Sequence, residues 1–150
     1  MVNPDESLNT DNQPAEFWVG IEQFNQGDYY ACHDTLEAIW MNANTYNRAF
    51  YQGILQIAVG LYHLSNLNWQ GAAILLGEGS HRLDSYGEVY GGIHVVNLMD
   101  QATDWLMALQ ETGPDQIQRL ASTLLSHASA PEHYVLADGD ILSTPKIELA

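Results

Sequence analysis

Residues 47–66, NRAFYQGILQIAVGLYHLSN, limit the possible folds more than any other stretch. Phe50, Ile54, Ile57, Leu61 and Leu64 recur at helical spacing and form one stripe. Tyr51, Leu55 and Tyr62 widen it on one flank. A helix apolar around most of its circumference needs neighbours on several sides, so this one belongs in the middle of a bundle. Its far side carries Gln52, Gln56, Val59 and His63, aligned by the same rotation of about 100° per residue. Gly53 and Gly60 lower helix propensity, and their presence predicts that a neighbouring helix approaches closely there.

The rest of the chain supplies those neighbours. Pro14 suits the first turn of a helix reaching about Gln26, with Phe17, Trp18, Ile21 and Phe24 at helical spacing and Gly27 as its stop. Asp28 is an N-cap for a second helix over 29–41. There Tyr29, Cys32, Leu36, Ile39 and Trp40 share an apolar arc, with His33 at its edge and Glu37 one step further round. The central helix follows a turn rich in Asn. A fourth helix is predicted over 69–86, a loop at GEVYGGI, a fifth helix over 94–111 and a shorter sixth over 115–126, the last two separated by Gly113-Pro114. No strand pattern stands out, and no repeat recurs at a fixed period. The expected fold is therefore all-α: a single-domain antiparallel bundle of five to six helices at 14–128. A flexible leader at 1–13 precedes it. An irregular tail at 129–150 follows, docked through Tyr134, Val135 and Leu136.

Composition narrows the functional classes. Nineteen Asp and Glu against four Lys and Arg give a formal net charge of −15. That charge repels nucleic-acid phosphates and anionic membrane surfaces, so neither is an expected partner. It attracts cations, although an acidic surface also serves solubility alone. The single Cys32 makes neither an intramolecular disulfide nor a cysteine-rich zinc site. The N-terminus lacks the basic and apolar segments of a secretion signal, and no apolar run reaches the roughly 20 residues of a membrane helix. A cytoplasmic location is expected.

Candidate site residues lie on the second, third and fourth helices. His33 and Glu37, at i and i+4, share one helix face. Such a pair can bind a metal or move a proton; it can equally be a structural hydrogen bond. Gln52, Gln56 and His63 each need partners if buried. His33, Glu37 and His63 together offer three ligands for a divalent metal with an open fourth position. The further inward carboxylates and Glu-x-x-His pair of a di-iron centre are missing. Arg82, one of the four cations, is expected in an ordinary ion pair, with Glu37 as one partner, or on an anionic ligand. Trp40 and Tyr62 would line such a site or belong to the core. Cys32 reads as a small buried hydrophobe. His81, His94, His127 and His133 show no site spacing, and phosphate loops, nucleophile elbows and H-E-x-x-H are absent. Two functions follow. The first is a non-catalytic interaction or regulatory module contacting a protein or small molecule, its polar cluster fixing the packing. The alternative is a metal-assisted or acid/base enzyme using His33, Glu37 and His63 on a small substrate.

Three stretches, FNQGDYYACHDTLEAIW, FYQGILQIAVGLYHLSNLNWQGAAILL and HRLDSYGEVYGGIHV, resemble the bacterial and archaeal domain-of-unknown-function 309 family over about 24–95. Its H-x3-E-x2-W pattern is met by His33, Glu37 and Trp40. Its Q-G-x2-Q-x-A pattern is met by Gln52, Gly53, Gln56 and Ala58, with His63 following, and an arginine-leucine pair falls on Arg82 and Leu83. The resemblance implies an all-α bundle and no particular activity.

Overall fold

The computed structural model describes residues 13–125 and 134–150. Six helices dominate it: α1 (Ala15–Asn25), α2 (Tyr29–Trp40), α3 (Thr45–Ser65), α4 (Trp69–Leu83), α5 (Val95–Thr112) and α6 (Ile117–Leu125). Each early turn has a local chemical cause. Gly27, at φ +81°, stops α1, while Asp28 caps α2 by accepting from the Ala31 N–H at 3.4 Å. Asn44 and Asn68 cap α3 and α4 in the same way. The α3–α4 turn repeats the α1–α2 turn with one difference. Its left-handed position is Leu67, at φ +64°, where glycine is the usual occupant. Two backbone bonds hold Leu67 there, from the Leu67 N–H to Leu64 and from the Asn68 N–H to His63.

As the apolar circumference predicts, α3 is central. It packs most extensively against α4, then α2, and also meets α6. α1 covers α2, and α5 covers α4. Phe17, Phe24, Phe50 and Trp105 are fully buried, and Phe50 collects Tyr51, Tyr86 and Tyr90 around its ring. Gly53 and Gly60 do lie at close helix contacts. A methyl group on Gly53 would fall 2.6 Å from Leu83 Cδ2, and one on Gly60 3.1 Å from the Leu76 backbone nitrogen. The tightest approach to backbone in this pair of helices is at Gly79 of α4, whose added Cβ would sit 2.8 Å from the Gly53 carbonyl oxygen.

Two expectations need correction. GEVYGGI is not a plain loop but a small hairpin, β1 (Val89–Tyr90) and β2 (Ile93–His94), turned by Gly91 and Gly92 at φ +67° and +79°. Both glycines are left-handed, as a two-residue hairpin turn requires. The tail docks, but not through Val135, which is exposed. Tyr134, Leu136, Leu142 and Ile147 are the buried anchors. It is also tied by hydrogen bonds. Trp105 Nε1 donates to the Ser143 carbonyl at 3.0 Å, and Asn25 exchanges two bonds with the Ile147 backbone. Leu149 bridges Ile93, so the tail binds α1, α5 and the hairpin together. The expected leader lies outside the described residues, apart from Gln13. No helix among the described residues is long and apolar enough to cross a membrane.

Candidate functional site

The expected site residues gather around one open strip. On α3 that strip is Gln52, Leu55, Gln56, Val59 and His63; on its α2 side stand Tyr30, His33, Glu37 and Trp40. On its α4 side stand Glu78 and Arg82. α2 and α4 make no extensive contact with one another, so they flank α3 and leave the strip between them facing solvent. Apart from Gln56, the polar groups are therefore at the bundle surface. Gln56 is the one buried polar side chain among the described residues.

Their hydrogen bonds divide them into three separate groups. In the first, His33 Nε2 lies 3.1 Å from Glu37 Oε2, and His33 Nδ1 lies 3.2 Å from Asp34 Oδ1. The imidazolium donates to both carboxylates; the neutral ring donates to only one. In the second, Gln56 Nε2 donates to Glu78 Oε2 at 3.2 Å, and Arg82 Nε donates to Gln56 Oε1 at 3.0 Å. Both partners come from α4, which is why Gln56 is covered. In the third, His63 Nδ1 meets Asn68 Nδ2 at 3.4 Å in the α3–α4 turn. The expected gathering of His33, Glu37, Gln56 and His63 is thus not what the hydrogen bonds form. Gln56 and His63 do share the predicted face, but each is taken up by the nearest element.

The ligand trio changes accordingly. Among the described residues, the group whose ligand atoms lie within 4.8 Å of one another is His33, Asp34 and Glu37, without His63. The two carboxylates address different nitrogens of one ring, so a metal on either nitrogen meets one of them directly. Arg82 is bonded to the Gln56 amide and not to Glu37, contrary to the ion pair expected for it.

A pocket of about 210 Å³ opens between α2 and α3, lined by His33, Glu37, Trp40, Gln52 and Leu55. The Trp40 indole N–H is buried without an acceptor among the described residues, and the Arg48 guanidinium carbon stands 5.0 Å from the Trp40 ring centroid. Beyond the pocket's end, Tyr30 packs on Tyr62 with ring centroids 5.2 Å apart. Asp34, Trp40's cation partner Arg48, and Glu78 were not among the expected site residues. Asp34 was findable in principle, because it directly follows His33. Cys32, one step along α2, points the other way: burial, with help from Asp28, pushes its thiol up to about 12. It is a core residue, as expected, and not a nucleophile.

Residues 17–75 match the family model described as Domain of unknown function (DUF309), so the chain resembles that family over α1, α2, α3 and the first part of α4. The stretch 81–95, with Arg82 and Leu83, lies beyond the match. No curated protein matches the chain.

Proposed function

We propose that this chain is a non-catalytic interaction module whose working surface is the open strip of α3 between α2 and α4. The observation that carries this reading is the division of the polar residues. A catalytic centre brings acid, base and reacting atom within hydrogen-bond reach of one another. Here the three polar groups each close on a neighbour, and the half-buried Leu55, Val59 and Tyr62 lie among them. Mixed apolar and amide surface of this kind suits contact with a protein or small molecule.

A photo-crosslinking residue placed at Val59, in the strip, tests this against one at Val96, on α5. Adducts from position 59 and none from 96 in producing cells are the expected result; equal labelling at both sites would count against the strip. The competing reading, a divalent cation at His33, Asp34 and Glu37, draws on their ligand spacing. It requires zinc, manganese or iron to raise the melting temperature, because a ligand of the native state stabilises it. The interaction reading expects no such rise, and native protein free of stoichiometric metal.

A further inference from the structure

The pocket between α2 and α3 has a wall chemistry that selects its occupant. We propose that it binds an organic cation, an ammonium or guanidinium group on a short alkyl chain. This rests on reading the α3 strip as a binding surface.

The first observation is the supply of free acceptors. Glu37 gives Oε2 to His33, and its second carboxylate oxygen has no hydrogen-bond partner among the described residues. The Gln52 amide, on the α3 wall, has none among the described residues either. A cation head placed between them gains one charged and one neutral acceptor. The second observation is the flanking surface. Leu55 and the Trp40 indole line the same space, as an alkyl stem requires. The indole ring already carries the Arg48 guanidinium, so in this pocket Trp40 serves as apolar wall for the stem and not as a second cation platform. The third is size. A volume of about 210 Å³ is below the roughly 300–1,000 Å³ of sites for drug-sized ligands, and suits one side-chain-sized group.

Charge gives the fourth observation. Each of the four Lys and Arg side chains is held by something other than a carboxylate. Arg48 lies on Trp40, Arg82 on the Gln56 amide, Arg119 on the Tyr134 ring, and Lys146 on the Asn25 carbonyl. Among the described residues, the ion pairs with carboxylates are those of His33 alone. The acidic residues of the described stretches therefore have no Lys or Arg ion-pair partner there, and the field of a chain with a formal net charge of −15 favours an incoming cation. No Lys or Arg is among the residues that line this pocket, and the nearby Arg48 is held over the ring of Trp40. His33 is the internal competitor for Glu37, so its removal should help the ligand while removal of the Glu37 charge should weaken its binding.

The test is titration of the full chain, followed by amide and indole NMR signals, with n-butylguanidinium, n-butylammonium and the neutral n-pentanol. The cations should shift Gln52, Leu55 and the Trp40 indole saturably, and n-pentanol should not. Glu37→Gln should weaken binding roughly twofold to fivefold, while His33→Gln should tighten it about twofold at most, as expected for partly exposed charge pairs. Glu88→Gln, remote on the hairpin, should leave binding unchanged. Nα-acetyl-arginine N-methylamide separates the sources. Binding as tight as n-butylguanidinium identifies a partner's side chain, and binding of the free cations alone identifies a small metabolite. The proposal is overturned if n-pentanol acts like the cations, if Glu37→Gln binds like wild type, or if Glu88→Gln weakens binding as much as Glu37→Gln. The crosslinking result at Val59 is independent of all these, so a failure here leaves the interaction surface itself separately judged.

Discussion

On the α4 side of α3, glycines let two backbones meet; on the α2 side, aromatic rings keep them apart. Gly53, Gly60 and Gly79 bring the α3 and α4 main chains together, with no room for a methyl group at Gly79. Across from α2, Trp40 with Leu55, and Tyr30 with Tyr62, fill the interface with large side chains and leave a 210 Å³ pocket between them. The contrast teaches where stability and recognition are separated. A close glycine contact is dry and stiff and can hold no ligand. An interface spaced by rings leaves accessible surface and carboxylates free to be used.

The largest effect should come from closing the tight side. Gly79→Ala forces a Cβ against the Gly53 carbonyl oxygen and the Ile57 backbone nitrogen, 2.8 and 3.0 Å away. Backbone atoms cannot rotate aside, so we expect a loss of about 1–3 kcal/mol, a melting drop of several degrees at roughly 2–4 °C per kcal/mol. Gly77, two residues earlier on the same helix, provides the contrast. Its added Cβ would meet only Leu106 Cδ2, at 3.8 Å. Gly77→Ala should therefore be neutral, or stabilise by up to about 1 kcal/mol through helix propensity. Equal losses at both positions, read by thermal melts, would mean that the loss does not come from the close α3–α4 contact.

Cys32 tests how dry the core side of α2 is. Burial raises its thiol from an ordinary value near 9 to about 12. A group whose folded pKa is raised contributes stability in full below its unfolded pKa, and that contribution is lost as pH rises through the folded value. Stability should accordingly be level up to about pH 9 on this account, and fall between about 9 and 12; Tyr29, raised by the same burial, adds to the fall at the top of that window. Native protein should resist thiol alkylation at neutral pH until it unfolds. Rapid alkylation of folded protein would place Cys32 on the open side instead.

Much of this arrangement was legible in the residues, and what was not has physical causes. The all-round apolarity of residues 47–66 located the central helix, and Gly53 and Gly60 marked its tight side. Helical rotation correctly put Gln52, Gln56, Val59 and His63 on one face. It could not say whether that face met core or water, because this depends on how far apart α2 and α4 stand. Nor could it say which neighbour each side chain reaches: Gln56 turns to Glu78 and Arg82, and His63 to Asn68, within its own turn. The hairpin escaped because strands of two residues are too short to show alternation. Docking of the tail through Tyr134 and Leu136 was legible, but its further anchoring was not, because side-chain-to-backbone bonds from Asn25 and Trp105 have no sequence period.

Gln56 sits at the border between the flanks. At 8% exposure it accepts from Arg82 and donates to Glu78. Gln56→Ala should cost about 1 kcal/mol, less than Gly79→Ala, because the α4 partners are exposed and can turn to water. A loss of 3 kcal/mol or more, measured by denaturant unfolding, would make this border as rigid as the glycine contact.

The smallest effect is expected on the open side, at the residues with the most suggestive spacing. His33 and Glu37 are an i, i+4 pair at 3.1 Å, yet their side chains remain 26% and 52% exposed. Water screens their attraction, and ordering two side chains opposes it, so such pairs contribute about 0.3–0.5 kcal/mol. His33→Gln, Glu37→Gln and the double variant form a cycle that isolates this term. Asp34 also faces the same ring, on Nδ1, so each single change to Glu37 leaves His33 one carboxylate partner and the coupling should stay below about 0.5 kcal/mol. A coupling above 1.5 kcal/mol would mean that the pair is a structural strut of the bundle. A small coupling means that Glu37 can be lost without harm to the fold, which leaves ligand binding as the property that its loss should change.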